Sequence, residues 1–181
     1  IMETHAFKDN YWNKFIRISA GGTWNAQPVT IVGGIAMMKI IDSERSTIYP
    51  RLYRIGQRLT NSFNKQAKEL GVAALATGLP PENPTTFGLN FLNKSIPEEL
   101  ISLWHDGPRT LQDYAVMGEY GAGGQASFAN YLALTNNSIY PFPGGSFTTC
   151  YKYSEEDMQM TEKAFGISLQ TMKENRLVGL T

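Results

Sequence analysis

The sequence has little with which to do metal or redox chemistry. It contains one cysteine, Cys150, and two histidines, His5 and His105, in 181 residues. A single cysteine excludes an internal disulfide and fits a reducing compartment, so a cytoplasmic location is expected. The two histidines are isolated and Cys150 has no partner at ligand spacing, which excludes the common zinc patterns. A nucleophilic Cys150 would need a neighbouring base, and the expectation is instead a small buried residue in a strand. Charge of one sign is lacking as well. Lys+Arg and Asp+Glu both number 16, so no basic excess points to nucleic acid or to a membrane surface. Long hydrophobic runs are absent. The longest, Val29 to Ile41, is interrupted by Thr30, Gly33, Gly34 and Lys39 and is too short to span a bilayer. The first ten residues carry His5, Lys8 and Asp9 and lack the apolar core of a secretory signal. The start on Ile1, inside an amphipathic stretch, leads us to expect a piece of a longer protein.

What is present is an ordinary globular composition, 42% hydrophobic and 18% charged, in a length sufficient for one domain with a core. Pro28 stands at the first position of an apolar run, where its missing N–H costs nothing, with Asn25 or Gln27 as the cap. Val29 to Ile41 places apolar residues on nearly every helical face, the pattern of a buried helix. Gly33–Gly34 in its middle suggests a close backbone neighbour. A second helix is one-sided: Ile48, Leu52, Ile55, Leu59, Phe63, Ala67 and Leu70 form a stripe at spacings of three and four, ending at Gly71 as C-cap. Two strands follow, Val72–Ala76 and Thr85–Leu92, joined by the proline-rich turn 78–84. Ser95-x-x-Glu98 predicts a capping box for a short helix to Trp104. Residues 118–124 read as a glycine-rich loop, and 125–135 as a helix with Phe128, Tyr131, Leu132 and Thr135 on one side. A strand pair, Ile139–Phe142 with Phe147–Tyr151, precedes a last helix opened by Ser154-Glu155-Glu156-Asp157, with Met158, Thr161, Phe165, Leu169 and Met172 inward. Strand pairs covered by helices on one side define an α+β domain.

Most chemistry-like patterns have a plainer explanation. The stretch Gly118 to Gly124 lacks the Lys-Ser/Thr of a phosphate loop and has no strand feeding it. The acidic Glu155–Asp157 run complements a helix dipole without any catalytic role. Gly21-Gly22-Thr23-Trp24-Asn25-Ala26-Gln27-Pro28 is the exception. A hydroxyl and free N–H groups ahead of a helix make an anion site, although a simple helix cap accounts for the same residues.

The segment Gly22–Pro28, continued by Gly33-Gly34-Ile35-Ala36, resembles the Gly-Thr-x-x-x-Asn-Pro region of class-III pyridoxal-phosphate-dependent aminotransferases, closest to the glutamate-1-semialdehyde 2,1-aminomutase branch. In order, the helix from Leu52 to Gly71, the strand Phe87-Gly88-Leu89-Asn90-Phe91, the helix Phe128 to Tyr140 and the start Ser154-Glu155-Glu156-Asp157-Met158 are similar to that family too. The resemblance implies the C-terminal part of a fold-type-I enzyme. On this reading, residues 1–47 end the large cofactor domain and include its linking helix, and 48–181 form the small domain, an antiparallel sheet covered by helices. It implies pyridoxal 5'-phosphate as cofactor, with Thr23 and Gly22 on its phosphate across a homodimer interface, and a small amino donor or acceptor as substrate. The Schiff-base lysine of the family lies in a glycine-rich segment that no lysine here precedes. No catalytic residue is therefore expected in this chain, and no metal. Three positions depart from the family: Gln27 replaces the usual Asn before Pro28, Tyr153 stands where His is common, and the loop Pro141 to Ser146 is short. The competing expectation is a stand-alone, non-catalytic domain that binds a partner or an anionic ligand at Thr23.

Overall fold

The structure is a computed structural model and describes residues 27–142 and 145–181. Backbone contacts divide the chain into two units, with the break between Arg45 and Ser46.

In the first unit, α1 (Pro28–Ser43) begins with proline at its first position, as expected. Gln27, in extended conformation, is the N-cap, but its side chain makes no capping bond; Asn25 lies outside the described residues. No residue of α1 is buried, and Val29, Val32 and Met38 are 84%, 66% and 68% exposed. The expected burial is therefore not seen. A Cβ added at Gly33 or Gly34 would meet nothing within 4 Å, so among the described residues no backbone packs there either. An all-apolar helix has no single face to direct it onto a neighbour.

The second unit is α+β, as expected. Helix α2 (Arg45–Leu70) buries Ile55, Leu59, Phe63 and Ala67, the stripe that its spacing defines. At Gly56 a Cβ would sit 1.6 Å from the Pro84 carbonyl oxygen, so only glycine lets the 80–84 turn close onto the helix. Strand β1 (Ala74–Leu79) pairs antiparallel with β2 (Thr86–Phe91), Ala76 opposite Leu89 and Gly78 opposite Phe87. The turn is thus shorter than expected, because Gly78 and Leu79 belong to the strand. Phe87, Leu89 and Phe91 alternate into the core. The free edge of β1 is occupied at Ala76, whose N–H donates to Asn64 Oδ1 at 2.7 Å while Asn64 Nδ2 donates back to Ala76 O.

Three further readings need correction. Ser95 does not cap a helix: a 3-10 turn, Glu98–Leu100, starts at Pro97 without a side-chain cap and runs into α3 (Ile101–Asp106). Proline disfavours a helical residue before it, which moves the start past Ser95. The glycine-rich stretch is mostly helical, since α4 (Leu111–Tyr120), opened by a Thr110–Asp113 capping box, includes Gly118. Helix α5 (Gly123–Asn136) includes Gly123 and Gly124. The face of α5 also differs. Phe128 and Leu132 are 63% and 44% exposed, whereas Ala126, Asn130, Ala133 and Leu134 are buried. Small side chains let α5 approach closely, and its larger apolar residues remain outside.

The expected second hairpin is reduced to a single bridge, Phe142 to Ser146. Strand β3 (Ser146–Thr148) instead joins β2 antiparallel, Phe87 opposite Phe147, giving the order β1-β2-β3. Cys150 lies beyond the strand and is exposed, not buried. Helix α6 (Glu155–Glu174) has the expected Ser154–Asp157 capping box and buries Ala164, Phe165, Ser168, Leu169 and Met172; Met158 and Thr161 are half-buried.

The core lies where α2, α5 and α6 meet one sheet face. Phe165 sits edge-on to Phe63 at 5.4 Å and to Phe147 at 5.5 Å, and Phe87 stacks on Phe147 at 5.1 Å. Each such aromatic contributes about 1.5–3 kcal/mol by burial alone. The element order predicts helices on one side of the sheet, and the structure corrects this. A smaller cluster of Ala73, Leu92 and Trp104, with Leu103, Met117 and Tyr120 against it, covers part of the other face. The C-terminal tail holds this arrangement: Ala73 N–H donates to Gly179 O, Gly179 N–H to Leu92 O and Thr181 N–H to Gly71 O.

Candidate functional site

Thr23 and Gly22, the expected cofactor contacts, lie outside the described residues. What the structure shows is the helix that follows them. Ile31 N–H donates to Gln27 O at 2.9 Å. The Val29 and Thr30 N–H groups have no acceptor among the described residues, and Pro28 has no N–H. The Gln27 side chain caps neither donor at the positive end of this sixteen-residue helix, an electrostatic setting that favours an anion. Among the described residues, no group of three or more His, Cys, Asp or Glu is placed to hold a metal. No described helix is long and apolar enough to cross a membrane.

The second unit has a cavity of about 210 Å³ where α2, β3 and the start of α6 meet. Leu59, Phe87, Ile139, Phe147 and Met160 form its apolar wall. Hydroxyls of Ser138, Thr148, Thr149, Tyr153 and Thr161, with the Asp157 carboxylate, supply its polar part. Several of these are fixed by local rules. Ser138 has φ +64 because it closes α5: its N–H donates to Thr135 O and the Ile139 N–H to Leu134 O, the two-bond ending that usually carries glycine. The Asp157 carboxylate accepts from Ser154 N at 2.8 Å and from Ser154 Oγ at 2.7 Å. These bonds hold its pKa below the ordinary carboxylate value. Tyr153 is half-buried, and burial first, then the charges of Cys150 and Asp157, push its phenol upward.

The segment leading into α6 is clamped from α2. Arg51 Nε donates to Tyr151 O at 2.7 Å and its NH2 to Tyr153 O at 2.9 Å, with the guanidinium over the Tyr151 ring. Arg58 makes a two-point pair with Glu162 and also donates to Glu155 at 2.7 Å, and its pKa is raised chiefly by the Glu162 bond. No sequence signal marks Arg51 or Arg58, whose partners lie about 100 residues away in the chain. Tyr153 was visible only as a departure from the family pattern.

No family model and no curated protein matches the chain. Solved structures do. An omega-transaminase from Sphaerobacter thermophilus is 23% identical over 86% of this chain and 30% of its own, with a TM-score of 0.57. A transaminase with PLP bound is 21% identical over 88% of this chain and 31% of its own, with a TM-score of 0.58. The chain therefore spans about three-tenths of the length of the structures it matches, and shares with that part of them an α+β fold of helices around a small three-stranded antiparallel sheet.

Proposed function

We propose that this chain is the C-terminal part of a pyridoxal-phosphate-dependent class-III aminotransferase or aminomutase. The observation that carries the reading is the fold shared with two transaminases over more than four-fifths of the chain, together with the ordered motifs from Gly22 to Met158. On this reading residues 1–47 close the large domain and its linking helix, and 48–181 form the small domain. The complete enzyme is a cytoplasmic homodimer acting on a small amino donor and acceptor. The glutamate-1-semialdehyde aminomutase branch is favoured by Gly22–Pro28.

When bound, the cofactor supplies an electron sink for a carbanion next to the amino group. This chain's part is to bind and orient. The Val29 and Thr30 N–H groups, which have no acceptor among the described residues, and the helix dipole fit a phosphate dianion, and the Thr23 hydroxyl donates a further bond from just upstream. Proton movement belongs to a lysine that this sequence does not supply.

In a protein joining this chain to a segment with the Schiff-base lysine, Thr23→Ala removes one charge-assisted bond, about 1.5–3 kcal/mol. Titration with pyridoxal phosphate should show cofactor affinity lowered by roughly one to two powers of ten with the fold unchanged. A mixed dimer of Thr23→Ala with a lysine-deficient copy keeps one intact site if Thr23 serves the neighbouring subunit, and none if it serves its own. The present chain, treated with pyridoxal phosphate and borohydride, should show no single lysine labelled stoichiometrically. Unchanged affinity in Thr23→Ala leaves that residue as part of a helix start only. Labelling of one lysine in this chain would overturn the assignment of the lysine to another segment.

A further inference from the structure

The cavity beside β3 also meets an open sheet edge. In an antiparallel pair, residues that exchange both backbone bonds alternate with residues whose N–H and C=O point away from the partner strand. Thr149 N–H donates to Thr85 O at 2.8 Å and Leu89 N–H to Gly145 O at 3.3 Å, so Phe147 faces β2 and Thr148, opposite Thr86, points its N–H and C=O outward. No described group accepts from the Thr148 N–H. Among the described residues its C=O is met only by the Tyr153 hydroxyl, at 3.5 Å, well beyond the usual O–H···O distance of about 2.7–2.8 Å. Tyr153 and Thr148 both line the cavity, so an adjacent donor and acceptor stand beside its apolar wall of Leu59, Phe87, Ile139 and Phe147.

The chemistry of a guest follows. A cavity of about 150 Å³ takes up benzene, and this one, at about 210 Å³, has room for one six-membered ring and a short substituent. The stacked Phe87 and Phe147 rings with Leu59 and Ile139 favour a flat apolar body. Among the described residues no Lys, Arg or His lines the space, so an anion would be buried without a counter-charge. The only charged lining group, Asp157, already accepts two bonds from Ser154 and offers a cation little. A neutral group that presents an acceptor and a donor side by side completes the Thr148 edge, as an added strand would. We propose that this cavity binds a small neutral aromatic carboxamide, its amide paired with the Thr148 N–H and C=O and its ring on the Phe87–Phe147 wall. The inference does not rest on the pyridoxal phosphate reading and adds a second ligand site to it.

Benzamide is the probe. Added to the full chain labelled with 15N, it should shift the amide resonances of Thr148 and its neighbours saturably, with a dissociation constant on the order of 1 mM for a ligand this small. Benzoate, which lacks the donor and is charged, and N,N-dimethylbenzamide, which lacks the donor, should each bind at least about ten-fold more weakly, the effect of losing one good hydrogen bond. Thr148→Pro removes the outward N–H together with the hydroxyl, at a place where an edge strand tolerates proline, and should weaken benzamide by a similar factor, whereas Thr148→Val, which removes the hydroxyl alone, should not. Met160→Trp, at the 43% exposed rim, should block entry. The comparison of the three probes on the unmodified chain decides the matter even if a variant fails to fold. Equal affinity for the three, saturable shifts away from residues 138–161, or no saturation up to the solubility of benzamide would each overturn the proposal.

Discussion

Helices α1 and α2 follow one another in the chain and differ in almost every respect that matters for packing. Helix α1 is the more apolar, yet none of its residues is buried. Helix α2 is mostly polar and buries Ile55, Leu59, Phe63 and Ala67 against the sheet. Apolar content decides how much free energy burial can release, whereas one-sidedness decides whether a helix can find its place. In α2 the stripe and the polar face specify one orientation. In α1 apolar side chains on every face specify none, and the chain presents Val29, Val32 and Met38 to solvent.

The widest gap between the two helices is in single-residue energetics. Phe63→Ala removes a fully buried ring of α2 that packs edge-on to Phe165, and should cost about 3–5 kcal/mol in urea unfolding, a large share of a typical 5–15 kcal/mol. Met38→Ala in α1 should stay within about 0.5 kcal/mol. A cost for Met38→Ala near that of Phe63→Ala would show α1 to be packed in solution and end the contrast.

Association is the next test. An exposed apolar helix of this length predicts self-association, since patches beyond a few hundred Å² are uncommon on monomers. Light scattering should show oligomers, and the double change Ile35→Lys with Met38→Lys should weaken their association at least about ten-fold. The reverse result, a monodisperse monomer at high concentration, would mean that α1 finds cover within its own chain.

The two Ser-x-x-acid signals separate α6 from the 95–98 region. Ser154→Ala should lose about 1 kcal/mol, because Ser154 Oγ accepts from Asp157 N at 3.1 Å. Ser95→Ala should lose almost nothing, its hydroxyl capping no helix. Acid sharpens the same point. Glu155 is held below its ordinary value chiefly by the Arg58 bond, and Asp157 by Ser154. A carboxylate whose folded pKa is depressed stabilises the fold above its unfolded value and loses that stabilisation as pH falls through the folded one. The urea midpoint should therefore decline below the ordinary values of 4.5 for Glu155 and 3.8 for Asp157. Arg58→Met combined with Asp157→Asn should flatten that decline. An equally steep decline in the double variant would place the acid sensitivity elsewhere.

The smallest effect concerns helix endings. Helices α2, α5 and α6 close in the same way, with a left-handed residue whose successor donates back five residues: Val72 to Ala67, Ile139 to Leu134 and Leu177 to Met172. The left-handed residues are Gly71, Ser138 and Arg176. Arg176→Gly relieves the side-chain penalty but loosens the unfolded chain, so a net gain of about 0.5 kcal/mol is expected. A loss would show that Arg176 makes contacts that outweigh its backbone strain.

This series also shows where the sequence was legible. Gly71 is readable as a C-cap because glycine is the default for that conformation, while Ser138 and Arg176 carry no such mark. The α2 stripe, the alternation of Phe87, Leu89 and Phe91, and the Ser154–Asp157 box are local, and all are found as read. Of the candidate cofactor contacts, Thr23 and Gly22 are legible only through the family pattern, and they lie outside the described residues. The cavity residues were not legible as a group, since Ser138, Thr148 and Tyr153 are brought together only when α5, β3 and the start of α6 converge.

By itself the sequence determined the periodic elements, the α+β class, the absence of a disulfide and the turn at Pro80–Pro84. Each depends on interactions within a few residues or on composition. Tertiary structure alone decided that β3 pairs with β2 rather than with the strand before it, that α5 turns its small residues inward and Phe128 outward, and that Arg58 joins Glu155 and Glu162. Those choices compare the free energies of contacts about 60 to 100 residues apart, and local propensity carries no information about which distant partner packs best.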